Sequence, residues 1–202
     1  MEFDPSKLSV PEMYRLMIDA IVPRPIAFVS TQGKDGKNNL APFSYFNAVS
    51  TNPPCVMLCL THKREGGVKD TLRNILETKQ FVVNSANEWL AEAVNQCSAE
   101  YPYGVDEMQK TGLTPIASVK VHPPRVSESA VQLECELYKT LQFGEGHGSS
   151  TLVFGKILML HVRDDLYQKG RINIAEYKPL ARLGGQSYAK LGEVFDLARP
   201  KV

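Results

Sequence analysis

Two short stretches of this 202-residue chain carry residue types suited to holding a phosphorylated ligand. Ser44, Asn47, Ser50, Thr51 and Asn52 crowd into a run between Asn38 and Pro54 that is poor in charge. Hydroxyls and amides at that density in a loop point to a ligand. The second stretch, THKREGGVKDT from Thr61 to Thr71, offers Arg64 and Lys69 as cations and Thr61 and Thr71 as hydroxyls. Gly66 and Gly67 allow a tight backbone, and a helix start follows at Asp70. A phosphate needs backbone N–H groups, hydroxyl donors and one or two cations. The same residues would also make a solvated basic loop capped by Asp70, and residue types alone leave both readings open.

Elements that would position these stretches are mostly strands. Ile26–Thr31 is apolar and GKDG at Gly33–Gly36 supplies hairpin chemistry. Cys55–Leu60 and Phe81–Asn84 read as buried strands. Val131 to Gln142 alternates, with Val131, Leu133, Cys135, Leu137 and Leu141 on one face and Gln132, Glu134, Glu136 and Gln142 on the other. Thr151–Arg163 is apolar on both faces, the pattern of a strand covered by core on one side and by a helix or second chain on the other. Helices are short: Pro11–Ile21, one capped by Asp70, and Glu88–Gln96. Antiparallel strands with inserted helices predict a small barrel.

Composition excludes several classes. Lys plus Arg number 23 and Asp plus Glu 22, so no global field draws the chain to nucleic acid or an anionic membrane. The N-terminus lacks an apolar signal core, and the most apolar run is too short to span a bilayer. The expectation is one cytoplasmic domain over residues 1–202. Cys55 and Cys59 would lie roughly 13 Å apart on one strand face, too far for a disulfide. Cys97 and Cys135 are isolated, and no histidine shares metal-ligand spacing with them, so reduced thiols and no metal site are expected. There is no P-loop, no dinucleotide fingerprint after a strand, no G-x-S-x-G and no HExxH.

PRPIAFVST, NLAPFSYFNAVSTNPP, R-x-x-x-x-KDT-x-x-N, FVVN, GVDEMQKTGLT and PLARLGGQSY occur in order between about Met13 and Tyr188. Together they resemble the flavin reductase-like, FMN-binding split-barrel family, nearest its flavoredoxin-type and flavoprotein oxygenase-associated members. The resemblance implies a mainly β fold, a six-stranded antiparallel Greek-key split barrel with short inserted helices. It implies a homodimer holding FMN near the subunit interface. Asn47, Ala48, Val49 and Ser50 match the stretch along the flavin ring and ribityl chain. Thr61, Arg64, Lys69 and Thr71 match the phosphate-side loop. Arg182 and Tyr188 match a C-terminal segment that returns toward the flavin, where Arg182 would favour reduced flavin; its alternative is a surface or interface ion pair.

Related two-component reductases carry Gly-Asp-His where this chain reads Gly146-His147-Gly148, so His147 is either a nicotinamide contact or a loop histidine. His62 is expected to act through its backbone and Trp89 through packing. Tyr101 and Tyr103 are either a pocket wall or part of a Pro-ordered loop, while Asp106 and Glu107 are expected in solvent. The leading expectation is an oxidoreductase passing electrons from NADH or NADPH through FMN to free flavin, oxygen or a redox partner protein. The alternatives are a non-enzymatic FMN carrier without a nicotinamide site, and a barrel that has lost flavin. No catalytic residue is assigned.

Overall fold

A computed structural model describes residues 1–62, 67–146 and 148–200, so Arg64 and His147 lie outside the described residues. Seven strands form one antiparallel sheet: β1 (Ala27–Gln32), β2 (Asn38–Phe43), β3 (Phe46–Thr51), β4 (Pro54–Thr61), β5 (Gln80–Ser85), β6 (Val131–Phe143) and β7 (Ser150–Val162). Their order is β2-β1-β5-β6-β7-β4-β3. The sheet curls around a shared core of Val29, Phe43, Leu58, Phe81, Cys135 and Val153, against which the helix Asp70–Thr78 packs Leu72 and Ile75. The fold is therefore the expected mainly β split barrel. The strand beyond the expected six is β3, because the polar run expected as a loop pairs with β4 as an edge strand.

The hairpin at Gly33–Gly36 forms as its residues dictate: Gly33 N–H donates to Lys37 O and Gly36 takes φ +79°. Two register shifts separate β6 from β7. Tyr138 is the extra residue between Leu137, opposite Gly155, and Lys139, opposite Phe154. A single extra residue reverses the inward and outward faces. Leu141 consequently leaves the face of Leu133, Cys135 and Leu137 and is 46% exposed, contrary to simple alternation. The polar face of β6 is covered rather than open. Glu134, fully buried, accepts N–H bonds from Val119 (2.9 Å), Lys120 (2.5 Å) and Val121 (3.2 Å) and a bond from His161 Nε2 (2.6 Å). Burial opposes ionisation of Glu134, but the Val119 and Lys120 amides and His161 outweigh it and hold its carboxyl below the usual range.

Gly155 of β7 leaves space for the Phe81 ring: a Cβ built there would sit 2.2 Å from Phe81 Cζ. Gly155→Ala is expected to destabilise the protein by about 1–3 kcal/mol through overpacking. Urea denaturation checks this, and an unchanged midpoint would show that the core yields at this point.

Candidate functional site

A cleft opens between the end of β4 and the first helix, α1 (Val10–Ala20). Two cavities meet there. One, of about 180 Å³, is lined by Arg24, Ser44, Cys59, Lys69 and Arg182 among others. The other, of about 730 Å³, has Met13, Tyr14 and Met17 of α1 on one wall and His62, Glu100 and Ser150 on the opposite side. Tyr14, Tyr45, Thr61 and Lys69 line both. A volume of this size suits a small-molecule or cofactor site.

Local structure explains how these side chains converge. β4 ends at Thr61, and Lys69 is the residue that caps α2 (Asp70–Thr78). Asp70, expected as the cap, instead lies in the first turn, where it pairs with Arg73 at 3.2 Å. Lys69 thus stands beside a helix N-terminus, where the dipole and free N–H groups favour an anion. A third, polar chamber of about 110 Å³ adjoins at Lys69 and includes Asn39, Thr71, Cys97 and Glu107.

Electrostatics point to an anionic ligand. Arg24, Lys69 and Arg182 all line the smaller cavity, and no carboxylate is among its described lining residues. Arg24 was missed in the sequence, because an arginine inside PRPI reads as a strand residue. It is 5% exposed; its guanidinium donates to Ile18 O (2.6 Å), Ile21 O (2.5 Å), Leu183 O (2.7 Å) and, more weakly, Ser44 Oγ (3.4 Å). Arg182 is opposite Arg24 across the short strands Arg24–Pro25 and Leu180–Arg182. Its described bonds go to the carbonyls of Ser187 and Gly185, and it stacks on the Tyr188 ring at 4.6 Å.

His62 contributes its ring as well as its backbone. Ser149 Oγ gives its single hydrogen to Gly146 O (2.6 Å), so His62 Nδ1, 2.9 Å away, donates to Ser149. In the neutral ring Nε2 then accepts from the Thr151 hydroxyl at 3.1 Å. Of the sequence-nominated residues, Thr61, Lys69 and Arg182 come together on the cleft. Asn47, Ala48, Val49 and Ser50 sit on the exposed edge β3 and line neither cavity; Asn47 Oδ1 accepts from Ala48 N–H and Ser50 Oγ from Asn52 N–H. Thr71 is 1% exposed and accepts from Asn39 Nδ2 at 2.9 Å. Tyr188 packs against a separate apolar cluster that includes Phe28, Leu40, Leu90 and Met108 and donates to Asn95 Oδ1 (3.3 Å).

Other expectations shift too. Glu107 is 6% exposed rather than solvated, with its carboxylate accepting from Leu40 N–H at 2.8 Å. Burial pushes its pKa up against the pull of that amide. Asp106 caps the helix Glu107–Thr111. Tyr103 donates to Asp35 and carries the Arg73 guanidinium 3.8 Å from its ring centre, while Tyr101 lines the polar chamber. Trp89 is 44% exposed with its indole N–H on Glu128 O. All four cysteines are free, and among the described residues no acidic, histidine and cysteine cluster suits a metal. No helix among them is long and apolar enough to cross a membrane.

The sequence profile of the flavin reductase like domain matches residues 19–180. An uncharacterized protein of Halalkalibacterium halodurans is 39% identical over 204 residues, covering 100% of this chain and 98% of that protein. The crystal structure of nitrilotriacetate monooxygenase component B from Bacillus cereus superposes with a TM-score of 0.93 at 37% identity, covering 98% of each chain. That of the 2-nitrobenzoate 2-nitroreductase NbaA from Pseudomonas fluorescens gives 0.89 at 31% identity, covering 99% of this chain and 96% of that one.

Two predictions follow from burial. The Cys97 thiol is pushed up to about 12 and Cys135 upward also, both by desolvation, whereas half-buried Cys59 lines the cleft. A thiol reagent at neutral pH should modify Cys59 well before Cys97 or Cys135, as mass mapping would show; early loss of Cys135 would contradict the packing. For Glu107, a folded pKa above the unfolded value means that stability falls as pH rises from the ordinary carboxylate range through the folded pKa. Glu107→Gln keeps an acceptor for Leu40 and should flatten that decline in denaturation measured between pH 4 and 8.

Proposed function

The chain belongs to the flavin reductase-like family, and on that premise we propose that it is an FMN-binding oxidoreductase with its flavin in the cleft under α1. The observation that carries this reading is the convergence of Arg24, Lys69 and Arg182 on a cavity whose described lining has no acid. The donor set fits FMN: cations and the Thr61 hydroxyl for its phosphate, Tyr14 and Tyr45 beside the larger space for its ring. When bound, FMN supplies reversible two-electron redox chemistry.

The chain's own residues bind and orient. Lys69 and Thr61 hold the phosphate from the two ends of the β4–α2 connection, with the α2 N-terminus behind Lys69, and Arg64, outside the described residues, is proposed as a further cation for it. Arg24 and Arg182 make the inner wall positive, which favours negative charge gained by the bound group on reduction. Tyr14, Met13 and Met17 exclude water. Thr71, buried and bonded to Asn39, serves the start of α2 rather than the ligand directly. Asn47–Ser50, which line neither cavity of their own chain, are proposed to meet a flavin only in the homodimer, on a face completed by a second copy, and Tyr188 supports Arg182 from behind. The exposed Val49, Leu141, Phe143 and Leu160 are the apolar surface such a homodimer would cover.

NADH or NADPH is the proposed electron donor. Likeness to an oxygenase component supports a partner protein as the electron destination, and likeness to a nitroreductase supports a small acceptor; free flavin and oxygen stay within the proposal. Anaerobic mixing with each nicotinamide after FMN titration should bleach a yellow complex. A protein that takes up no FMN would overturn the reading, and a yellow complex inert to both nicotinamides would leave only the carrier role. Lys69→Ala should weaken FMN binding at least about tenfold, the loss of one charge-assisted contact, with thermal stability nearly unchanged. Equal affinity in fluorescence titration would remove Lys69 from the site.

A further inference from the structure

The helix over the cleft is attached unevenly. α1 buries only Ile18, while Val10, Tyr14 and Met17 are 51%, 51% and 37% exposed despite lining the larger cavity. An amphipathic helix normally gains its stability by burying its apolar face; here that face roofs a space. Its C-terminal end is tied down. Arg24 donates to the carbonyls of Ile18 and Ile21 there and to Leu183 O on the neighbouring segment. The helix also lies against bare backbone at Gly184, where a Cβ would meet Asp19 Oδ1 at 1.5 Å. The other end is capped locally, by Ser9 N–H and Oγ on Glu12 Oε2 (2.9 and 2.5 Å), and leans through Val10 on Gly148.

We propose that α1 is a hinged cover of the cleft, with Arg24 as the positioning residue at its hinge and the Ser9–Met13 end as the edge that lifts to admit and release FMN. The proposal rests on the flavin reading for its ligand, but its mechanics stand on the attachment alone. A bond from a buried guanidinium to a helix-end carbonyl is charge-assisted and strong, and it complements the negative end of the dipole. Among the described residues the Ser9–Met13 end leans on Gly148 through Val10 and makes no charge-assisted bond to the barrel. Opening therefore costs least at the N-terminal end.

Hydrogen–deuterium exchange of the full chain, with and without FMN, tests this. In the free protein the amides of Met13–Met17, toward the lifting end, should exchange on the order of a hundredfold faster than those of β5 and faster than those of Ile18–Ile21 at the tied end, as expected of a locally opening element. FMN should slow them. Amides of α1 as protected as β5 in the free protein, or bound FMN with no change in α1, would overturn the proposal. Failure to bind FMN would sink the flavin reading, while the contrast between α1 and β5 still decides the hinge. Arg24→Lys keeps the charge but loses the fork, and should speed FMN release about tenfold while β5 stays protected. Should that variant lose β5 protection, Val10→Ala at the exposed end serves instead and should speed FMN association. An unchanged rate in the variant that keeps its fold overturns the assignment.

Discussion

A buried guanidinium holds the cleft in shape. Arg24 brings a full positive charge to a position only 5% exposed and meets it with carbonyls, not with a carboxylate, among the described residues. Such burial is costly unless the donors are satisfied and the charge is opposed. The C-terminal end of α1 does both, since its free carbonyls need donors and its dipole is negative there. The consequence is structural and electrostatic at once. One side chain fixes the helix roof, the C-terminal strand segment and Ser44, and leaves the wall of the cavity positive.

The sheet supplies the other half of the geometry. Pairing of Ser150 with Thr61 sets the ends of β7 and β4 level, so that the chain leaves the barrel at the cleft mouth. α2 then re-enters with Lys69 at its cap and Leu72 and Ile75 in the core. Its apolar contacts anchor the helix, and its polar start meets the ligand space. The Phe81–Gly155 approach and the extra residue at Tyr138 determine which side chains face the core and which face outward. Outward-facing Leu141, Phe143 and Leu160 follow from that register and from strand ends beyond the core.

Much of this was legible in the sequence. Strand cores of β1, β4, β5, β6 and β7, the Gly33–Gly36 turn and α1 follow from hydrophobic periodicity and turn chemistry, which are local. The place of Thr61 and Lys69 at the cleft was also legible, since hydroxyl and cation flank a strand-to-helix connection. Three features were hidden because their causes are non-local. A bulge at Tyr138 depends on two strands together, and no single-strand pattern contains it. Glu107 and Glu134 look solvated by type and become buried only because distant amides at Leu40 and Val119–Val121 meet them. Arg24 gains its role from a helix end and a segment 159 residues further on. Asn47–Ser50 show the converse: their polarity suggested a ligand loop, and pairing with β4 makes them an exposed edge whose covering would come from outside the chain.

The place of the flavin is tested by a crystal structure of the protein grown with FMN. Phosphate density is expected beside Lys69 and Thr61, with the ring system in the larger cavity under Tyr14. Ordered flavin elsewhere on the barrel, with the Lys69 cleft filled only by solvent, would contradict it.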